Sequence, residues 1–146
     1  MVAYPTSVEE CRNVLEFADK NALTICPRAG GFSYADMIMN EDHVVINLSK
    51  MNRILHWGPD KGLMVVEPGV CFADIFSRTL IHNWALSSCP GGMGVTIGGA
   101  ISNNVHGKDS RKNGNFGDQV TQLKLLIASG EIIGISRDQD QELFEA

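Results

Sequence analysis

The chain has 146 residues, 44% of them hydrophobic and 20% charged, which suits one folded domain and excludes a disordered tail or a coiled coil. Lys and Arg number 12 against 17 Asp and Glu, a net charge of −5 that argues against any sequence-independent grip on nucleic acid. Apolar runs such as Leu63–Val66 and Leu125–Ala128 have four residues, far below the roughly 18–20 that cross a bilayer, so neither a membrane span nor a signal peptide is expected.

In chain order, Thr6 and Ser7 followed by Glu9 and Glu10 form a capping-box pattern, and Val8, Cys11, Leu15 and Ala18 repeat at helical spacing, which predicts a helix over 6–20. Leu23–Cys26, stopped by Pro27, and His43–Leu48 read as buried strands, with a loop at 28–40 between them. Ile54–Trp57 and Leu63–Glu67 flank a Gly- and Pro-containing turn and read as a hairpin. Phe72, Ile75, Phe76 and Leu80 predict a second amphipathic helix closing near Asn83. A second hairpin is expected from Val120–Ile127 and Glu131–Ser136, and a last helix within Asp138–Ala146. Trp57 and Trp84 read as core residues, and His43, His56 and His82 share no ligand spacing. Cysteines 11, 26, 71 and 89 form no CxxC pair, so no metal site is expected. They read as buried small hydrophobes in a reducing compartment, consistent with a cytoplasmic location.

Glycine is the unusual component, and it is clustered. Positions 89–107 hold six glycines in nineteen residues, yet Val95, Ile97, Ile101 and Val105 keep an apolar spacing that a mobile linker would lack. Such clusters bring backbone N–H groups against phosphate, because only glycine tolerates positive φ and close backbone approach at little steric cost. The Rossmann fingerprint fails, since Gly92, Gly94 and Gly98 are spaced GxGxxxG with Ile97 where the third glycine should fall. The P-loop also fails: Gly107 and Lys108 fit, but Ser102 replaces its first glycine and Asp109 follows the lysine. Two separate loops remain, RAGGFSY at 28–34 and PGGMGVTIGG at 90–99, a pairing suited to a bridging pyrophosphate.

With YPTSVEE, VVINLSKMNRIL, VVEPGV, PGGMGVTIGGAISNNVHGKD and LLIASGEI in this order, the whole chain resembles the flavin-binding domain of the FAD-linked oxidases of the vanillyl-alcohol oxidase type, the PCMH-type fold. The resemblance implies an α+β fold of two small α/β subdomains. It also implies that 1–146 is the FAD-binding, N-terminal part of a larger oxidase, truncated at its C-terminal side and lacking the substrate domain. The run GGAISNNVHGK at 98–108 is similar to the branch acting on sugars and sugar lactones, which includes decaprenylphosphoryl-ribose, aldonolactone and alditol oxidases.

Carried onto this sequence, the resemblance assigns cofactor contacts to Ala29, Gly30, Gly31, Phe32, Ser33, Tyr34, Pro90, Gly91, Gly92, Val95, Thr96, Gly98, Gly99, Asn103, Val105, His106 and Gly107. Gly31 and Gly98 are expected to combine positive φ with close approach to the pyrophosphate, so that valine at either abolishes binding without unfolding. Many relatives tether the flavin through a histidine where this chain has Phe32, so FAD is expected to be held non-covalently. His106 reads either as a flavin-side hydrogen-bond donor or as a core histidine, and Lys108, Arg111 and Lys112 as facing a substrate phosphate or solvent. The implied function is oxidation of an alcohol carbon of a sugar or polyol by hydride transfer to flavin N5, with the electron acceptor unspecified and the general base on the part beyond this chain, which alone is expected to be inactive. A non-catalytic nucleotide-binding or partner-docking module is the alternative.

Overall fold

Ser7 starts the first helix. Its hydroxyl accepts the Glu10 N–H at 3.2 Å, while the Glu10 carboxylate reaches back to the Thr6 N–H at 2.7 Å, so hydroxyl and carboxylate cap the start from both sides. The computed structural model, which describes residues 1–145, places helix α1 over Val8–Lys20. Strands β1 (Val2–Ala3), β2 (Ile25–Arg28) and β3 (Val44–Asn47) form a parallel sheet in the order β1-β3-β2. Helix α1 carries the chain from β1 to β2 on the two edges of the sheet, the segment 29–43 makes the crossover to the parallel β3 between them, and all four residues of β3 are buried. Cys11, Ile46 and Met51 form the first core, joined by Val8, Val14, Ile25, Leu48 and Leu126.

Pro27 lies inside β2 and does not end it, a correction to the sequence reading. Because β2 is an edge strand, the missing proline N–H removes no ladder bond. The short β1 carried no sequence signal.

Strands β4 (Ile54–Gly58) and β5 (Leu63–Val66) make the expected hairpin. Trp84 lies over its turn, with the ring against Gly62 and Nε1 donating to the Pro59 carbonyl at 2.7 Å. Trp84 is therefore a surface cover and Trp57 only half-buried, so neither is the core residue expected. Helix α2 (Phe72–Thr79) runs into a 3-10 turn, and Asn83, in the left-handed region with φ 59°, closes it. Helix α3 (Ile97–Ser102) forms inside the glycine-rich stretch, and a short α4 (Ser110–Asn113) follows. Hairpin β6 (Gln122–Leu126) and β7 (Ile132–Ser136) is tied to α1 by Arg12 Nε donating to the Gly130 carbonyl at 2.8 Å. Helix α5 (Gln141–Glu145) is last; residue 146 of the expected helix lies outside the described residues.

Val70, Phe72, Ile75, Ile97, Ala100 and Phe116 build the second core, with the Phe72 and Phe116 rings edge to face at 5.1 Å. All four cysteines are free. Only Cys11 is buried, so the expectation that all four are core residues is corrected. No helix among the described residues is long and apolar enough to cross a membrane.

Candidate cofactor site

The two glycine loops, some sixty residues apart in sequence, meet. The Gly30 N–H donates to Thr96 Oγ1 at 3.1 Å. Thr96 is the N-cap of α3, yet its hydroxyl makes no cap bond because it serves the first loop. A Cβ on Gly30 would stand 3.2 Å from the Gly94 carbonyl oxygen, and one on Gly94 would stand 3.0 Å from Phe32 Cζ. Phe32, 60% exposed, thus lays its ring edge on the second loop.

Backbone donors line both loops. Among the described residues, the N–H groups of Gly31, Phe32, Ser33 and Tyr34 in the first loop, and of Gly91, Gly92, Met93 and Gly94 in the second, make no intramolecular hydrogen bond. Gly31 adopts φ +72°, and a Cβ there would stand 2.9 Å from the Arg28 guanidinium, so a cation flanks the first loop. Gly91 has open space around its Cα. Unpartnered N–H groups, glycines at the points of approach and a neighbouring arginine fit a pyrophosphate, the charged centre of FAD.

Helix α3 contributes differently from the expectation. Its first two N–H groups are taken, Ile97 by the Val70 carbonyl at 2.8 Å and Gly98 by the Pro68 carbonyl at 2.9 Å, so this helix start is a structural joint. Gly98 does not have positive φ, which corrects that part of the expectation. It is needed because a Cβ would stand 2.8 Å from Pro68 Cβ. Pro68 is held in turn by its neighbour Glu67, a buried carboxylate that accepts Arg53 Nη2 at 2.6 Å and the Arg53 backbone N–H at 2.8 Å. The Arg53 hydrogen bonds hold the Glu67 carboxyl below the usual carboxylate range.

The remaining assigned residues divide by depth. Val95 and Val105 pack on the second core, and their backbone N–H and carbonyl groups are taken by hydrogen bonds within the chain, so neither offers a free polar group to a cofactor. Ser33 and Gly99 are half-buried, as are Ala29 and Pro90, while Tyr34 is 89% exposed. The Asn103 side chain is spent on the Gly99 carbonyl, at 2.9 Å. His106 is exposed, which removes the core-histidine reading. Gly107 is packed so tightly that a Cβ would overlap the Cys89 carbonyl. Lys108, Arg111 and Lys112 are exposed and make no ion pair among the described residues.

Sequence reasoning passed over Arg28, the Pro68 and Val70 carbonyls, and the side chains of Ser88, Ser110 and Gln119. Only Ser110 had a local signal, a hydroxyl three residues after a glycine, which is a turn pattern. Burial and the Asp109 charge push the nearby Cys89 thiol up, against a nucleophilic role. No group of three metal-ligating side chains occurs among the described residues.

Residues 1–136 match the FAD binding domain family. The chain is 36% identical over 146 residues to L-gulonolactone oxidase of Bos taurus, covering 100% of this chain and 33% of that protein. It is 32% identical over 136 residues to decaprenylphosphoryl-β-D-ribose oxidase of Mycolicibacterium smegmatis, covering 92% and 30%. The crystal structure of 6-hydroxy-D-nicotine oxidase from Arthrobacter nicotinovorans superimposes with a TM-score of 0.88 at 25% identity, covering 98% of this chain and 31% of that one. The chain thus spans about a third of the length of these relatives. With two α/β subdomains and paired glycine loops fitted to a pyrophosphate, this chain belongs to the FAD binding domain family of FAD-linked oxidoreductases, of the PCMH-type fold.

Proposed function

We propose that the chain holds FAD non-covalently across its two glycine loops, and that it is the FAD-binding part of an oxidoreductase acting on an alcohol carbon of a sugar or polyol. The observation that carries this reading is the Gly30 N–H to Thr96 Oγ1 clasp, which brings two loops of free backbone donors together. When bound, FAD supplies the hydride acceptor, N5 of its ring. The protein's own work is binding and orientation. The backbones of Gly31–Tyr34 and Gly91–Gly94 hold the pyrophosphate, and Arg28 offsets its charge.

His106, exposed on the segment after α3, would supply a hydrogen-bond donor to the ring and would stabilise negative charge there when FAD is bound. Phe32 stands where a tethering histidine would be and has no nucleophilic atom. The sugar or polyol class is supported by relatives above 30% identity whose names specify a sugar lactone and a ribose derivative.

Titrating the folded chain with FAD, NAD and ATP tests the cofactor, and FAD should bind tightest. Tighter binding of NAD or ATP would overturn the reading. Anaerobic bleaching of the bound flavin in a full-length oxidase that carries this domain, by sugar alcohols and aldonolactones with secondary amines as the competing class, tests the substrate. Bleaching by amines alone would remove the sugar assignment.

A further inference from the structure

The stem that feeds the second glycine loop packs Leu86 and Cys89 on the second core and is held by side chains of the segment 110–119. Ser87 donates through its N–H and its hydroxyl to Gln119 Oε1, at 2.9 and 3.0 Å, and its carbonyl accepts Asn113 Nδ2 at 2.8 Å. The Ser88 carbonyl accepts Gln119 Nε2. At Cys89 the chain lies so close to Gly107 that no side chain fits between them. Pro90, the first residue of the loop, follows immediately.

Two hydroxyls complete this joint. Ser110 Oγ accepts the Gly107 N–H at 2.8 Å, and the Ser110 N–H returns to the Gly107 carbonyl at 3.3 Å, closing a turn over 107–110 that carries Lys108 and directly follows His106. Ser88 Oγ lies 3.2 Å from Ser110 Oγ, and Ser88 is 1% exposed. One hydrogen bond joins the two hydroxyls; with the buried Ser88 donating, Ser110 Oγ accepts from both Ser88 and the Gly107 N–H, and the proton of the half-buried Ser110 is left to solvent. Losing the Ser110 hydroxyl costs free energy, because the buried Ser88 hydroxyl then keeps its desolvation penalty without its partner.

We propose that Ser110 and Ser88 are positioning residues of the cofactor site: their hydroxyl pair locks the turn that follows His106 onto the stem of the second glycine loop, so that the ring-facing segment and the pyrophosphate loop hold one fixed relative placement. The proposal rests on the FAD reading above. Neither side chain touches the cradle donors, so the effect passes through Gly107 and Cys89. Loss of the pair frees the turn while leaving the Gly30–Thr96 clasp intact.

The test compares wild type, Ser110→Ala, Ser110→Thr and Ser88→Ala by amide exchange at Gly107, and by FAD and ADP titration. In Ser110→Ala the Gly107 amide should exchange at least about tenfold faster, FAD should bind about two- to tenfold more weakly, and the visible band of bound flavin should shift. ADP, which has the pyrophosphate but no ring, should bind as in wild type, and Ser110→Thr should restore all three properties. Ser88→Ala should show the same pattern more weakly, and it decides the matter if Ser110→Ala does not fold. Unchanged Gly107 exchange and FAD binding, or equal weakening of FAD and ADP, would overturn the proposal while leaving the FAD reading standing. A wild-type chain that binds no FAD would overturn both.

Discussion

Thr96→Val removes the one hydrogen bond between the two glycine loops and keeps the side-chain volume. The valine methyl fills the place of Oγ1, but the Gly30 N–H that it releases sits on an exposed residue and can turn to water. The cost is therefore a net hydrogen bond, about 1 kcal/mol, and not the larger penalty of a buried orphan donor. For a domain of this size that lowers the melting temperature by roughly 2–4 °C. If the clasp pre-organises the cradle, the same 1 kcal/mol appears in ligand binding as about a fivefold loss of FAD affinity. Differential scanning fluorimetry and a flavin-fluorescence titration measure the two effects, with Thr96→Ser as the control that keeps the hydroxyl. Wild-type FAD affinity in Thr96→Val, alongside the expected fall in melting temperature, would show that the clasp is only a stabilising contact and refute its role in assembling the site.

Gly31→Val and Gly98→Val should now differ. Valine at φ +72° costs about 1–3 kcal/mol and obstructs the first loop, so it removes FAD binding from a folded chain by circular dichroism, whereas valine at Gly98 collides with Pro68 and lowers stability and binding together. Glu67, with its carboxyl held low by Arg53, contributes stability that is complete above the ordinary glutamate value of 4.5 and lost as pH falls through its lower folded value; Glu67→Gln should lower the melting temperature at pH 7 and flatten this acid limb. Acid or heat precipitation should leave all flavin in the supernatant, because Phe32 cannot form the tether; flavin absorbance in the pellet would show a covalent link elsewhere.

What was legible in the sequence was local. The capping pattern at Ser7 and Glu10, the helical repeat through Cys11 and Ala18, and the two hairpins each depend on residues within a few positions of one another, and each occurs at its expected place. Helix α3 was hidden because Gly98 and Gly99 oppose helix formation, and it exists through tertiary bonds from Ile97 and Gly98 to the Pro68–Val70 backbone. The strand through Pro27 was hidden for a similar reason, since only the sheet order reveals it as an edge. At the site, glycine spacing marked both loops, but the clasp spans 66 residues and leaves no local pattern. Phe32 read as a missing histidine; the structure adds a positive role, packing across to Gly94.

Backbone amide shifts mapped across the chain on titration with FAD test the two-loop site most directly. The largest changes should fall together on Gly31–Tyr34 and Gly91–Gly94, the free donors of both loops, with smaller changes at His106 and Gly107. Changes confined to one loop, or gathered in the separate groove lined by Asn52, Arg53 and Arg78, would contradict it.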